Sequence, residues 1–464
     1  MITMRLATPD DTTSVFDLDM LAFVGDPSQV SPEQATSGLD DGRTFLAEHP
    51  DLPGELAGVY SSYDLQVRVP GTPARGTSLV PMNGLTWVAV HPDVRRRGVL
   101  SAMIRHHLEQ AREHGEAMLA LHASEPGIYG RFGYGVASHD VEYTLARGTR
   151  FAAPPVVAAE ADGTGTRLLR DLDDDDVAAR LRGIELDAPT LGTVVCPPRF
   201  WRRLVRDVPT LRPGTEPSRA FVATRDGRDV GMAVFSRSRR WEAGAADGTV
   251  TVHRLAASDA GALLALGRRL VDMDLMSSVR LPGRGLDDPL LAWAGGPRER
   301  RLRVGDALWL RPVDVGRMLE ARGYASPLDV RLGVTDPLDE HNCGTWHLRV
   351  GDDGTATCER LSAPSEAGRT GVRPPEYATT QPATIQPATA QPATAVDAAE
   401  QDGDLEVTAD VSLDVGLLGE VFLGLTGARA LAEQGRLVEH TPGAVAAMTR
   451  AFATGVAPIG GSSF

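Results

Sequence analysis

The pattern of hydrophobic and polar residues in the first third of the chain predicts strands and helices that follow one another in turn. Short stretches rich in apolar residues predict strands at the start and over residues 54–60, 85–90 and 117–123. Apolar residues with helical spacing predict helices over residues 12–23 and from about residue 101. This rhythm of strand and helix predicts a mixed α/β domain over residues 1–150.

Two further stretches follow a segment rich in Ala, Pro and Gly at residues 151–165, which we expect to be a linker between domains. In the second stretch, residues 160–305, the pattern predicts helices at 174–183 and 261–273 and strands at 220–224, 230–236 and 249–255. In the third, residues 310–464, it predicts helices at 316–322, 415–423, 428–434 and 443–453 and strands at 330–333, 345–350 and 404–413. The fold class is therefore expected to be α+β, with three domains.

A polar repeat interrupts the pattern of the third domain. The tetrapeptide Gln-Pro-Ala-Thr begins at Gln381, Gln386 and Gln391, so it recurs every five residues. A repeat of this composition has no apolar face to bury. We therefore expect residues 365–402 to form a disordered insertion between two strands, without a catalytic role.

Composition mainly excludes classes of function. The formal net charge is −15 at pH 7, and all 47 basic residues are arginine. Nucleic acid is therefore a poor candidate partner, because it needs a clustered basic surface, whereas a cationic amine would be attracted. No apolar run of about 18 residues and no leader pattern is present, which predicts a cytoplasmic protein without a membrane partner. Cys196, Cys343 and Cys358 lack the spacing of metal ligands, so we expect neither metal nor disulfides.

Residues 85–111 have the sequence features of an anion site: an apolar strand, a turn, an Arg/Gly loop and an amphipathic helix. Backbone N–H groups at the loop and the helix start would converge on one spot, and the helix dipole adds positive potential there. Gly98 lacks the Cβ that would obstruct a phosphate, and Arg95, Arg96 and Arg97 add charge. The segment predicts a pyrophosphate site. A solvated arginine-rich turn before an ordinary helix is the alternative interpretation.

Two motifs connect this site to a known family. The loop Arg95-x-x-Gly98-x-Leu100 resembles the coenzyme A loop of the GNAT superfamily, with a large Leu100 where a small residue is usual. Residues 121–135, Leu-His-Ala-Ser-Glu-Pro-Gly-Ile-Tyr-Gly-Arg-Phe-Gly-Tyr-Gly, are similar throughout to the signature of the enhanced intracellular survival (Eis) acetyltransferases of actinobacteria. The resemblance implies two GNAT-type domains, the second degenerate, a sterol carrier protein-like domain, and assembly as a homohexamer.

The resemblance also implies acetyl-CoA as co-substrate and assigns its contacts. The backbone of one strand segment would pair with the pantetheine arm: Val88, Ala89 and Val90. The loop and helix start would hold the pyrophosphate: Arg95, Arg96, Arg97, Gly98, Val99, Leu100 and Ser101. Ser124 and Glu125 would be further coenzyme contacts. We expect a β-bulge or a splay of the strand after Val90 to expose the unpaired backbone groups.

Tyr129 is the predicted general acid. A phenol with a pKa of about 10 keeps its proton at neutral pH and can deliver it to the departing sulfur. Tyr134 competes for this role, and either ring could simply pack beside the ligand. The resemblance assigns the base to the C-terminal carboxylate, here that of Phe464, with His122 and Glu125 as alternatives. Because the first domain has no cysteine, we expect direct transfer in a ternary complex.

The predicted function is transfer of acetyl from acetyl-CoA to a primary amine, and the resemblance implies aminoglycosides acetylated at several positions. Four acidic residues could line a mouth for a cationic substrate or be solvated: Asp17, Asp19, Asp26 and Glu33. Asp259 would repel a pyrophosphate in the second domain, which we expect to be non-catalytic. The alternatives are acetylation of protein or peptide lysine or of a polyamine, a lipid carrier using the third domain, and an inert oligomeric scaffold.

Overall fold

The structure is a computed structural model of the 464-residue chain. It describes residues 2–39, 42–125, 127–198, 200–201, 212, 214–298, 300–362, 409–460 and 464. The predicted insertion at residues 365–402 lies outside the described residues, as does the first half of the predicted strand 404–413.

The described residues form strands and helices in alternating groups along the chain. The strands are β1 (Thr3–Leu6), β2 (Thr44–Glu48), β3 (Gly58–Pro70), β4 (Thr77–Val90), β5 (Met118–His122), β6 (Gly135–Val136), β7 (His139–Ala146), β8 (Gly165–Leu169), β9 (Val194–Val195), β10 (Arg219–Arg225), β11 (Arg228–Ser238), β12 (Trp241–Glu242), β13 (Ala245–Ala246), β14 (Gly248–Ala257), β15 (Met276–Arg284), β16 (Arg303–Asp306), β17 (Leu308–Pro312), β18 (Leu328–Thr335), β19 (Gly344–Val350), β20 (Ala356–Ser362), β21 (Val411–Asp414) and β22 (Leu437–Glu439). The helices are α1 (Thr12–Phe23), α2 (Pro32–Thr36), α3 (Val99–Glu113), α4 (Pro155–Asp162), α5 (Asp175–Asp187), α6 (Ala260–Val271), α7 (Pro289–Trp293), α8 (Val315–Glu320), α9 (Val415–Phe422), α10 (Ala428–Glu433) and α11 (Ala444–Ala451). The α+β class expected from the sequence is confirmed.

The first sheet has the strand order β1-β2-β3-β4-β5-β17-β6, with β9 paired to β3. Neighbouring strands are antiparallel except β4 and β5, which are parallel. Successive residues of a strand point to opposite faces. Val59 therefore packs with Val15 and Leu18 of α1, whereas Tyr60 packs with Met103 of α3. Helix α1 thus covers one face of the first sheet, and helix α3 covers the opposite face.

The second sheet has the order β16-β7-β15-β14-β11-β10-β8, and it contains the predicted hairpin of β10 and β11. The linker predicted at residues 151–165 is wrong, because Pro155–Asp162 form α4. Pro155 lies in the first helical turn, where a missing N–H costs nothing. The alanine-rich helix then packs closely on α6, with Ala161 buried against Leu264 and Ala265.

The two sheets exchange strands. β7 belongs to the second sheet although it lies within the first 150 residues, and β17 lies between β5 and β6 of the first sheet although it follows the second. A strand from one side of each predicted boundary thus completes the sheet on the other side. The domain boundaries at residues 150 and 305 stay predictions.

The third sheet, in the order β20-β19-β18-β21-β22, packs against α8 to α11, and α9 also packs against the first sheet. Glycines allow this close approach. A Cβ at Gly419 would overlap the carbonyl oxygen of Leu310 in β17, and one at Gly135 of β6 would overlap the carbonyl oxygen of Gly416. The backbone of α9 in the third domain therefore packs directly against the backbone of β17 and β6 in the first sheet.

A buried polar network holds β4, β5 and α3 together where β4 meets β5. The Asn83 amide donates to Glu116 at 2.6 Å and its oxygen accepts from Nε2 of His107 at 2.8 Å. Arg43 pairs with Glu116 at 2.7 Å. Burial lowers the pKa of His107 to about 3, so the ring stays neutral in the folded protein.

We expect His107→Gln to reduce the loss of stability on acidification. Unfolded His107 regains a pKa of about 6.5, so below that pH the unfolded state binds a proton that the native state excludes until pH 3 is approached. Between pH 6.5 and pH 5 this costs native protein about 2 kcal/mol, whereas glutamine keeps the N–H donor and does not titrate. Urea unfolding at pH 7.5 and pH 5 measures the difference. The exposed His114→Gln is the control, and equal pH dependence in all three proteins would refute the prediction.

Candidate active site

The central feature of the first domain is the divergence of two parallel strands. Among the described residues, β4 pairs with β5 only through Asn83 with Leu119 and Gly84 with Ala120. Farther along, Trp87 has φ of 53°, in the left-handed region that bulky residues avoid at a cost of about 1–3 kcal/mol. Here β4 holds one residue more than β3, since Ser61 pairs with Thr86 but Val59 pairs with Ala89. β4 thus contains a β-bulge.

The bulge and the splay were predicted after Val90, and that position is wrong. The bulge lies at residues 87–88 and the strands part after Gly84. Val88, Ala89 and Val90 do follow the parting point. Ala89 and Val90 pair with β3 on one side, and within the described residues none of the three pairs with β5. The backbone groups of these residues that face β5 therefore remain unpaired among the described residues, as the expected contact with the pantetheine arm requires.

The loop after β4 has an open helix start. Gly98 precedes α3 with φ of 87°, and no side chain caps the helix in the described structure. A Cβ at Gly98 would lie 4.0 Å from Cδ1 of Ile2, the nearest heavy atom outside the neighbouring residues. The positive φ, and not crowding, therefore requires glycine here. Because the first turn of a helix has free N–H groups, this start fits a pyrophosphate.

The side chains of this loop differ in availability. Arg95, Arg96 and Arg97 are exposed, but Arg97 donates to Asp51 at 2.5 Å and is partly neutralised. Leu100 and Ser101 are half-buried, and Val99 is buried in the core beneath α3. Any contact of Val99 with a ligand would therefore be through its backbone.

The Gly-rich loop after β5 carries the two candidate tyrosines. Tyr129 is buried, and burial together with the charge of Glu125 raises its pKa to about 12. Its ring lies 6.0 Å from that of Tyr134. The Tyr134 hydroxyl is buried and has no hydrogen-bond partner among the described residues, and burial raises its pKa further still. Ser124 and Glu125 are exposed at the end of β5.

Phe464 lies at the point where β4 and β5 part. Its main-chain oxygen accepts a hydrogen bond from the Thr86 hydroxyl at 3.3 Å. Its ring packs edge-on against His122 with centroids 4.9 Å apart. A Cβ at Gly84 would lie 2.6 Å from Cε2 of that ring, so only glycine leaves room for it. Sequence reasoning missed Thr86 and Gly84, for which the only signal was small residues within an apolar strand.

Residues 457–460 of the C-terminal segment lie against the second domain and then against His122. Ala457 donates to Asp287 at 2.7 Å and Ile459 donates to the carbonyl of Leu191 at 2.9 Å. Gly460 then accepts from Nε2 of His122 at 3.4 Å. Burial lowers the pKa of His122, which favours the neutral ring, and its buried Nδ1 has no hydrogen-bond partner among the described residues.

The acidic residues proposed for a substrate mouth have different surroundings. Asp17, Asp26 and Glu33 are exposed, whereas Asp19 is half-buried and its pKa is raised to about 6 by burial. Ionised Asp19 at neutral pH is therefore costly without a cation nearby.

In the second domain, acidic side chains occupy the helix start that corresponds to the phosphate loop of the first domain. Asp259 caps α6 by accepting from the Ala262 N–H at 2.9 Å, and it pairs with Arg225. Glu160 of α4 lies against Gly261. A helix start already occupied by a carboxylate offers no site for an anion, which supports the non-catalytic interpretation of this domain.

Comparison with known proteins agrees with this geometry. Residues 3–137 and 192–313 each match a family described as an acetyltransferase (GNAT) domain, and residues 315–373 match a sterol carrier protein domain. The N-acetyltransferase Eis of Mycobacterium tuberculosis is 31% identical over 79% of this chain and 86% of its own length. The chain belongs to the Eis-like N-acetyltransferase family.

Other members resemble this Eis-like chain over most of its length. A Streptomyces avermitilis protein named "Uncharacterized N-acetyltransferase" is 34% identical over 86% of this chain and 85% of that protein. The crystal structure of Eis1 from Mycobacterium abscessus has a TM-score of 0.74 and 27% identity, covering 100% of both chains. The Eis-like chain is thus an acyltransferase with two GNAT domains followed by a sterol carrier protein-like domain.

Two further observations concern the parts of the Eis-like chain that the structure describes. They contain no cluster of three or more His, Cys, Asp or Glu side chains arranged to hold a metal ion. None of their helices combines the length and apolar character that crossing a bilayer requires.

Proposed function

We propose that this N-acetyltransferase transfers acetyl from acetyl-CoA directly to a primary amine, with aminoglycosides as the substrate class. The observation that carries the proposal is the position of Phe464, whose main-chain oxygen lies at the parting point of β4 and β5. A carboxylate there would meet an amine at the inner end of the coenzyme cleft. The negative net charge favours a cationic amine.

The chain offers two regions for the coenzyme. The backbone of residues 88–90 is open toward β5, and the uncapped start of α3 has free N–H groups beside Arg95 and Arg96. We propose that the first region binds the pantetheine amides and the second binds the pyrophosphate. Ser124 and Glu125 are exposed at the end of β5, where they would flank the coenzyme.

The acid and the base are assigned to different elements. Acetyl-CoA supplies an activated thioester, which the amine attacks. The Phe464 carboxylate would attract the substrate ammonium and accept its proton, directly or through water. Tyr129 holds its proton far above neutral pH and would donate it to the departing sulfur. Assembly as a homohexamer and a cytoplasmic location remain parts of this proposal.

We expect kanamycin and neomycin to give the fastest amine-dependent thiol release in a panel that includes spermidine and a lysine peptide. Two or more acetyl groups should appear on one aminoglycoside molecule by mass spectrometry. Acetyl-CoA without amine is the control for hydrolysis. Faster turnover of spermidine or of the peptide would overturn the substrate class alone, and release independent of every amine would overturn acetyl transfer.

A further inference from the structure

A buried ion pair joins the first sheet to the third domain. Arg311 of β17 is fully buried, and its Nη2 donates to Asp336 at 2.7 Å. The Asp336 carboxylate also accepts from the Asn342 amide at 3.0 Å and from the backbone N–H groups of Leu338 and Asp339 at 3.0 and 3.2 Å. Third-domain backbone therefore fixes the carboxylate, and the carboxylate fixes the guanidinium.

The rest of the guanidinium makes no hydrogen bond with the residues that the structure describes. Nε and Nη1 of Arg311 are buried without a hydrogen bond among the described residues. Burying donors unsatisfied costs free energy, and a buried ion pair of this kind stabilises a fold less than apolar residues of the same volume. Stability alone therefore does not explain an arginine at this position.

The unpartnered side of Arg311 lies against the loop that carries Tyr129. A Cβ on Gly133 would overlap Nη1 of Arg311 and lie 3.1 Å from its Cζ. Gly133 has φ of 77°, so the loop turns there in a conformation that glycine alone adopts readily. The charge of Arg311 also acts on Tyr134, whose pKa it lowers against the larger effect of burial.

The third domain supports the same loop from a second direction. A Cβ on Gly416 of α9 would lie 3.3 Å from the carbonyl oxygen of Tyr134 and 3.4 Å from the carbonyl carbon of Gly133. Val415 packs beside Gly133. The loop of residues 129–135 is thus held between a rigid guanidinium and a helix start, both set by the third domain.

We infer that Arg311 is a positioning residue, through which Asp336 of the third domain sets the place of the Tyr129 loop. The guanidinium is planar and held at one edge, so its other edge is a fixed surface for the Gly133 backbone. Since an acid misplaced by about 1 Å can lose a hundredfold in rate, a defect here would lower turnover without weakening coenzyme binding. The kinetic part of this inference rests on the proposed role of Tyr129.

Amide hydrogen exchange tests the positioning without using activity. Arg311→Lys keeps the charge beside Asp336 but loses the planar edge, and Arg311→Met/Asp336→Asn removes both charges. Both variants should exchange at least about tenfold faster over residues 127–136. Arg254→Lys is the matched control, because Arg254 is also buried, pairs with Glu185, and has one nitrogen without a hydrogen bond to any described residue. Unchanged exchange in both Arg311 variants, or equal change in the control, would overturn the inference.

Kinetics then tests the connection to Tyr129. Arg311→Lys should lower kcat at least about tenfold with KM for acetyl-CoA within about twofold, and it should add nothing in a Tyr129→Phe background. An additive loss in the double variant would overturn action through Tyr129. If Tyr129→Phe itself keeps full kcat, or no protein turns over any amine, the proposed function fails, and the hydrogen-exchange result still decides the positioning.

Discussion

Tyr129→Phe is expected to lower kcat for amine-dependent thiol release by about 10²–10³-fold, while KM for acetyl-CoA changes less than about threefold. The reason is that phenylalanine keeps the buried ring but removes the proton donor. Burial raises the pKa of Tyr129 to about 12, so the native phenol stays protonated throughout the useful pH range. Initial rates at saturating acetyl-CoA between pH 7 and pH 9 measure the loss.

Tyr134→Phe is the control for this result. The Tyr134 hydroxyl is fully buried with no hydrogen-bond partner in the described structure, so its removal should cost less than about fivefold in kcat. The two variants differ only in which ring loses its oxygen. If Tyr134→Phe were the inactive variant and Tyr129→Phe the active one, the acid would be reassigned to Tyr134.

Appending two glycines after Phe464 is expected to lower kcat about 100-fold, with little change in thermal stability. The addition converts the carboxylate into a neutral amide and moves the charge away from the Thr86 hydroxyl. The Phe464 ring can still pack on His122, so the residue keeps its position while the proposed base is lost. Steady-state rates with a saturating aminoglycoside measure the effect.

A matched insertion separates this effect from general disturbance. Gly435 lies at an exposed turn of the third domain with φ of 71°, and a Cβ there would meet nothing within 4 Å. Two glycines inserted after it should leave kcat within about twofold. Full activity of the protein extended beyond Phe464 would show that its carboxylate takes no part in proton transfer.

The elements that the sequence predicts well are those whose pattern is local. The helix predicted over residues 12–23 matches Thr12–Phe23, and the predicted helix at 415–423 differs from Val415–Phe422 by one residue. The Arg/Gly loop before α3 is likewise encoded by neighbouring residues, with Gly98 at the helix start. Short-range periodicity and capping suffice for such elements.

The features that escape sequence reasoning depend on distant contacts. Trp87 adopts a left-handed conformation because the surrounding sheet imposes it, and nothing in a tryptophan signals that. Residues 155–162 have a linker's composition but become a helix since α6 supplies an apolar surface. Arg311 looks like an ordinary strand arginine until β17 is placed beside Gly133.

The strand exchange bears on how this polypeptide is made. A ribosome releases the chain from its N-terminus, yet the seam between β5 and β6 stays empty until residues 308–312 have emerged. About 300 residues must therefore be synthesised before the first sheet is complete, and the nascent N-terminal third exposes unpaired strand edges meanwhile. A gene fragment ending anywhere between β7 and β16 encodes two incomplete sheets, so the two GNAT domains must be inherited together on one gene to fold.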